Sequence, residues 1–187
     1  MLSVDVFTER SINGYPLDVL VSCLQKSIRR GDWETAVQVA VELMYTSREL
    51  EDYVWQRLLV ISAEDIGSAN WYANTVVWNL RSSSRLIDDE MIGDRRILIV
   101  QAIRFLCSQE KDRSSCLISD IAKREFGKRE IEFGDYVYDM HTTEGLKRGR
   151  GFDFFLDTAS KVVPDVNEKE ESALKERLRE LLTDEER

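Results

Sequence analysis

Apolar residues recur every three or four positions along most of this chain, which is the spacing of amphipathic α-helices rather than strands. In the first such stretch Leu17, Leu24 and Ile28 share one face, and Gly31 follows where helices commonly end. The same spacing returns at residues 33–45, 46–61, 70–85, 93–107, 114–126, 152–163 and 167–182. The pattern therefore predicts an all-α fold, a single-domain bundle of about eight helices.

Interruptions of the pattern predict how the chain is divided. Residues 1–14 lack a sustained period and end at an Asn-Gly turn, so we expect an N-terminal arm. The helical domain is predicted over residues 15–164, because a proline at its end stops the helix there. Residues 165–187 place leucines in a narrow stripe among many charges, which predicts a C-terminal charged amphipathic helix. Within the domain, residues 127–151 show no clean period.

Composition limits the classes of function. The formal net charge is -9 and the pI is near 4.8, so only a local patch of the surface is expected to attract DNA. The three cysteines are widely separated and there is one histidine, which favours reduced thiols and leaves little material for a zinc site. No apolar run is long enough to span a membrane, and no signal segment precedes the first helix. We expect a cytoplasmic protein without cofactor or metal.

Glu64 and Asp65 stand at the end of the third predicted helix, directly after an apolar run. The C-terminus of a helix carries partial negative charge, so acids there are disfavoured unless a cation or the start of the next helix compensates for them. The nearest candidate cations are in the basic last turn of the first helix and earlier in the third helix. The predicted structural ion-pair motif comprises Arg29, Arg30, Asp32, Arg57, Glu64 and Asp65, with Asp32 also capping the second helix.

Chemistry is the alternative interpretation of this acidic pair. Two carboxylates can hold a divalent metal or transfer protons. Neighbouring side chains on a helix, however, point about 100° apart and do not easily share one metal ion. Ion pairing is therefore the preferred interpretation, and no catalytic residue is assigned.

A second polar site is predicted at Asp139 and His141. An Asp-x-His pair can orient a general base, but no serine or cysteine in a nucleophile-bearing turn accompanies it. A hydrogen-bonded structural histidine is the preferred interpretation.

The densest basic cluster contains Lys147, Arg148 and Arg150, interleaved with glycines and followed by a predicted helix. Glycines let backbone amides approach an anion, and a helix N-terminus favours negative charge, so the cluster is a candidate site for phosphate or DNA. The spacing of a P-loop is missing. The alternative, which we prefer, is a solvated turn that pairs with acids such as Asp135 or Asp139.

The four tryptophans fall at helical spacings within apolar stretches, which predicts core positions rather than platforms for stacking bases. They are Trp33, Trp55, Trp71 and Trp78.

Two motifs carry a resemblance to a known family. Residues 24–32 read Leu-Gln-Lys-Ser-Ile-Arg-Arg-Gly-Asp, and residues 61–67 read Ile-Ser-Ala-Glu-Asp-Ile-Gly. In that order and separation they resemble the C-terminal helical region of the RarA/MgsA/Werner-helicase-interacting-protein family of AAA+ ATPases, over roughly residues 15–110. The resemblance implies a fold like the clamp-loader collar, assembly of subunits into a tetramer, and parent proteins that act at stalled replication forks and DNA ends. The ATPase itself is not implied, because the Walker A, Walker B and sensor arginine motifs are missing from this sequence.

These observations lead to a first hypothesis of function. The chain is a non-enzymatic helical association module related to ATPases of DNA replication, repair and recombination. It forms a homo-oligomer, a dimer or a tetramer, with DNA or replication proteins as candidate partners.

Two alternatives stay open. The chain could be an enzyme or a binding protein for a nucleotide or another phosphorylated ligand, with Glu64, Asp65, His141 and the turn 147–150 converging in one pocket. It could also be an adaptor whose final helix binds a partner by its leucine stripe.

Overall fold

The structure, a computed structural model, describes residue 6 and residues 9–182. Over this part of the chain the prediction of an all-α fold is confirmed. The chain divides into two compact units, Met1–Lys128 and Arg129–Arg187, and each is described by itself. The boundaries predicted after residues 14 and 164 stay predictions. Residues 1–5, 7 and 8 of the predicted arm and 183–187 of the predicted last helix lie outside the described residues.

Helices form the first unit. They are α1 (Leu17–Arg30), α2 (Trp33–Thr46), α3 (Arg48–Ile61), α4 (Ala73–Ser84), α5 (Ile92–Ser108) and α6 (Ser114–Glu125). A π-helical turn, Ser62–Ile66, continues α3, and a 3₁₀ turn, Gly67–Ala69, follows it.

The core of the first unit lies among α1 to α5, and α5 contacts each of the other four. Its fully buried side chains include Leu24, Leu43, Trp55, Leu58 and Ile103. These belong to the apolar stripes visible in the sequence, so the stripes of these five helices do mark the core faces.

Local signals explain where these helices begin and end. Gly31 ends α1 with a φ of 76°, a left-handed conformation that glycine adopts readily. Asp32 caps α2 by accepting a hydrogen bond from the backbone N–H of Thr35. In the sequence Thr46 with Glu49 three positions later has the form of a capping box, which predicts Thr46 as the cap of α3, and this is wrong. Ser47 caps that helix, because the Thr46 hydroxyl belongs to the end of α2 and donates to a carbonyl one turn earlier.

The tryptophan prediction is correct for Trp55, which is 1% exposed, and wrong for the other three. Trp33, Trp71 and Trp78 are 46%, 78% and 52% exposed. Trp78 lies on the outer face of α4, whereas Val77 on the inner face is fully buried. Trp71 precedes the first turn of α4. Helical spacing therefore assigns each tryptophan to a face of its helix, but it does not show whether that face is buried in the bundle.

Helix α6 differs from the other helices of its unit because none of its residues is buried. Its apolar stripe is formed by Leu117, Ile118 and Ile121, which are 58%, 64% and 55% exposed, and Phe126 just beyond it is 88% exposed. The sequence correctly predicts a helix here, but the described residues do not cover its apolar face.

The second unit has little apolar core. Its elements are α7 (Thr143–Lys147), α8 (Phe152–Phe154), a π-helical turn Phe155–Ala159 and α9 (Glu168–Leu181). Leu156 is its buried large apolar residue within the described residues. The helical face predicted over residues 152–163 stops at Ala159, and Val163 beyond it is 96% exposed.

Helix α9 packs against its own unit by charged side chains. Arg179 forms ion pairs with Asp153 and Asp157 from the segment around α8. Lys175 forms an ion pair with Glu171 one turn earlier, and its side chain is only 21% exposed. The leucines Leu174, Leu178 and Leu181 are instead 58%, 39% and 73% exposed. No helix in the described part of the chain is both long and apolar enough to cross a bilayer.

Candidate functional site

The acidic pair lies in the π-helical turn that extends α3. The side chain of Asp65 is fully buried, and that of Glu64 is 26% exposed. A buried carboxylate is unfavourable unless charged or hydrogen-bonding partners surround it. The surroundings of Asp65 therefore determine what this site does.

Two arginines each bridge both acids. Arg29 of α1 places Nε 2.6 Å from Asp65 Oδ1 and Nη2 3.5 Å from Glu64 Oε1. Arg113, directly before α6, places Nε 3.2 Å from Asp65 Oδ1 and Nη2 3.2 Å from Glu64 Oε1. The planar, forked guanidinium suits such double contacts better than a lysine would. We call Arg29, Glu64, Asp65 and Arg113 the ion cluster.

Amide groups complete the hydrogen bonding of the ion cluster. Gln25 Nε2 donates to Asp65 Oδ2 at 3.1 Å, and Gln25 Oε1 accepts from Arg57 Nη2 at 2.7 Å. Arg57 therefore supports the cluster through Gln25. Burial alone would raise the pKa of Glu64, but hydrogen bonds from Gln25 and Arg113 outweigh that effect and lower it.

Besides Arg57, two members of the predicted ion-pair motif lie outside the ion cluster. Arg30 donates to the carbonyl of Lys26 within α1, and Asp32 caps α2. Arg113 is not part of the motif predicted from the sequence; it lies in the loop between α5 and α6, 48 positions from Asp65. The sequence does contain one signal for a second arginine. Two adjacent carboxylates at a helix end need more than one cation to compensate their charge.

The ion cluster also holds the loop that leads into α6. The backbone N–H of Asp112 donates to the carbonyl of Asp65 at 3.0 Å. The Ser68 hydroxyl donates to the Asp112 carboxylate, and Lys111 donates to the carbonyls of Leu106 and Cys107 at the end of α5. The start of α6 is thus joined to the turn after α3 by backbone, side-chain and ionic contacts.

Gly67 permits this close approach. Its φ is 53°, and a Cβ placed there would lie 2.4 Å from the carbonyl oxygen of Asp112. Any side chain would therefore both strain the backbone and push the α6 loop away.

Replacing Gly67 with alanine is expected to lower the free energy of unfolding by at least about 1–2 kcal/mol, the usual cost of a left-handed backbone for a residue with a Cβ. Chemical denaturation monitored by helical circular dichroism measures this. Gly93→Ala is the matched control, because nothing lies within 4 Å of a Cβ at that helical position. Equal stabilities of the two variants would contradict the assignment of a tight contact at Gly67.

Asp139 and His141 form a local turn in the second unit. The backbone N–H of His141 donates to Asp139 Oδ1 at 3.0 Å, and His141 Nδ1 lies 3.0 Å from Asp139 Oδ2. These hydrogen bonds lower the pKa of Asp139. The His141 ring also packs edge-on against Phe155, with centroids 5.1 Å apart. The Asp139–His141 hydrogen bond is common to both interpretations of this pair, and the His141 side chain is 61% exposed.

The basic turn is engaged with an acid of its own unit. Arg150 Nη2 lies 2.6 Å from Asp135 Oδ1, and its guanidinium stacks over the ring of Phe154 at 4.1 Å. Arg148 contacts Asp135 as well, at 3.4 Å. Lys147 is exposed at the end of α7. Two of the three predicted anion-binding cations are therefore partnered internally, and the pairing with Asp135 is one of the alternatives drawn from the sequence.

The chemistry available to the ion cluster is limited by these contacts. Both carboxylates face guanidinium groups, which leaves them poorly placed to take a proton or a metal. Within residue 6 and residues 9–182, no three histidine, cysteine or acidic side chains are grouped so that they could hold a metal ion. The ion cluster belongs to the first unit, whereas His141 and the basic turn belong to the second. No protein-family model matches this chain, and no curated protein matches it.

Proposed function

We propose that this chain is a non-enzymatic helical association module, and that its copies assemble through the apolar face of α6. The single observation that carries the proposal is the exposure of that face, with no residue of a 12-residue helix buried. An isolated helix of this length is marginal in water, and most helices in proteins gain their stability from packing an apolar face. A partner that covers Leu117, Ile118 and Ile121 would supply that packing.

The ion cluster gives this proposal a mechanism. Because Arg113 and Asp112 bind the turn after α3, α6 begins at a fixed place on the bundle. The acids then act as a structural support that presents the apolar stripe to a partner.

Exposed aromatic residues near the same turn support a surface used for association. Trp71 and Tyr72, which follow the 3₁₀ turn Gly67–Ala69, are 78% and 76% exposed. Aromatic residues are enriched at the cores of protein interfaces. Helix α6 contacts the same two turns, so both surfaces adjoin one region of the first unit.

The resemblance to the C-terminal helical region of the AAA+ ATPases also supports assembly, since that region joins subunits in the family. Under the proposal the chain is cytoplasmic and forms a dimer or tetramer beside replication, repair or recombination proteins. Contact with DNA is a weaker part of the proposal, because Arg148 and Arg150 already pair with Asp135.

Replacing Ile118 with aspartate is expected to weaken self-association at least tenfold, because a charge would have to be buried in the apolar interface. Light scattering coupled to size exclusion, over a range of protein concentrations, measures the assembled mass. Ser119→Asp is the matched control, since it adds the same charge one position along, off the apolar stripe. A wild-type chain that stays monomeric up to about 100 μM would overturn the proposed function.

A further inference from the structure

Two helices of this chain expose an apolar stripe that nothing in the described residues covers. One is α6, with Leu117, Ile118 and Ile121. The other is α9, with Leu174, Leu178 and Leu181. Helix α9 contacts its own unit through charged side chains such as Arg179. Its leucines lie on another side of the helix and are exposed.

The charges at the ends of the two helices are complementary. The last turn of helix α6 carries Lys123 and Arg124 against one acid, Glu125, and Lys128 follows closely. Helix α9 begins in an acidic turn that contains Glu168 and Glu170. An antiparallel pairing would bring this basic end beside that acidic end and would also align the two helix dipoles favourably. Pairing of α6 with another α6 would offer no such acidic end to its basic turn.

The two stripes together form the apolar part of the proposed interface. Their six residues are between 39% and 73% exposed, so more than half of their surface, on average, is available to a partner. A standard interface uses about 800 Å² per partner, a little over half of it apolar. Flanking residues such as Phe126, 88% exposed, add to the same surface.

We infer that α9 of one copy packs antiparallel against the apolar face of α6 of a second copy, and that the second copy returns the same contact. The occupant of the α6 face is thus the acidic leucine helix of another copy of this chain. A reciprocal exchange of this kind gives a closed two-fold dimer. The inference rests on the proposed self-association and specifies its surfaces.

Charge reversal tests the pairing with the full-length chain. One variant carries Lys123→Glu and Arg124→Glu, which makes the end of α6 acidic. A second carries Glu168→Lys and Glu170→Lys, which makes the start of α9 basic. Each variant alone is expected to have its dimer dissociation constant raised at least tenfold at low salt, because both contacts of its dimer then oppose like charges.

A mixture of the two variants is the decisive sample. In a mixed dimer one contact joins the two reversed ends and the other joins two unchanged ends, so both are again complementary. The mixture is therefore expected to dimerise with the wild-type dissociation constant, measured by light scattering or analytical ultracentrifugation. Glu130→Lys with Glu132→Lys is the control, with the same change of charge at exposed positions off both helices.

The other outcomes are distinguishable. A wild-type dimer that persists in both variants, or variants that stay monomeric when mixed, would overturn the pairing of α6 with α9 and leave self-association intact. A monomeric wild-type chain would overturn the proposed function together with this inference. A third variant carries both reversals on one chain. If this variant dimerised like the wild type while the mixture of the two single reversals did not, the two helices would pair within one copy, and the inference would be overturned.

Discussion

Replacing Glu51 with alanine is expected to lower the free energy of unfolding by about 3–5 kcal/mol, the range typical of a broken buried ion pair. The side chains of Glu51 and Arg95 are 2% and 3% exposed, and Arg95 Nε lies 3.0 Å from Glu51 Oε1. The substitution would remove the carboxylate that accepts from Nε and Nη2 of Arg95. The buried guanidinium would keep only backbone carbonyls and the Asp89 carboxylate 4.0 Å away. Urea denaturation of the full chain measures the change from the transition midpoint and slope.

Arg48 provides the control for this prediction. It forms an ion pair with the same carboxylate at 2.9 Å, but its side chain is 42% exposed. Solvent screens such a pair, so Arg48→Ala is expected to cost less than about 1 kcal/mol. If Glu51→Ala cost no more than Arg48→Ala, the buried pair would not be the main polar support of the first unit.

Replacing Asp65 with alanine is expected to cost about 3 kcal/mol, because it removes the fully buried carboxylate that Arg29 and Arg113 share. If copies associate through α6 as proposed, the same substitution is also expected to weaken that association, since Arg113 leads directly into α6. Denaturation measures the first effect and light scattering measures the second. Normal stability, with loss of binding to a metal or a phosphorylated ligand, would contradict the structural role.

Glu64→Ala is the companion variant. Its side chain is 26% exposed, so the expected cost is smaller, about 1–2 kcal/mol. The folded-state pKa of Glu64 is lowered from its ordinary value of 4.5, so its contribution is present above that value and is lost as the pH falls below it. The stability difference between the wild type and Glu64→Ala should therefore shrink at acidic pH. A difference that is constant with pH would mean that Glu64 acts by packing rather than by charge.

The apolar periodicity was sufficient to predict α1 to α5, because each of their stripes faces a neighbouring helix of the same core. The same reasoning gave a correct helix at α6 and a wrong environment for it. The spacing of apolar residues shows which face of a helix is apolar. It does not show which other part of the protein, or which partner, covers that face. Trp71 and Trp78 were misplaced for the same reason.

The ion cluster was predicted in part. The unfavourable placement of Glu64 and Asp65 at a helix end required a cation, and Arg29 was among the candidates. Arg113 is not predicted because it lies in a loop, where apolar periodicity does not indicate which way a side chain points. Its role depends on Gly67, whose missing side chain allows the loop to approach, and such long-range contacts are set by tertiary packing rather than by local pattern.

The loop between α5 and α6 has one more consequence. Gln109 accepts a hydrogen bond from Asn70, Lys111 binds the end of α5, and Asp112 and Arg113 bind the turn after α3. Because hydrogen bonds and ion pairs fix this loop, the direction in which α6 leaves it is also fixed. A helix after a flexible loop could instead contact a partner at many angles. Point-group symmetry requires the same angle at every contact. If copies associate through α6 as proposed, this fixed direction would favour one closed assembly of defined stoichiometry over a mixture of open chains.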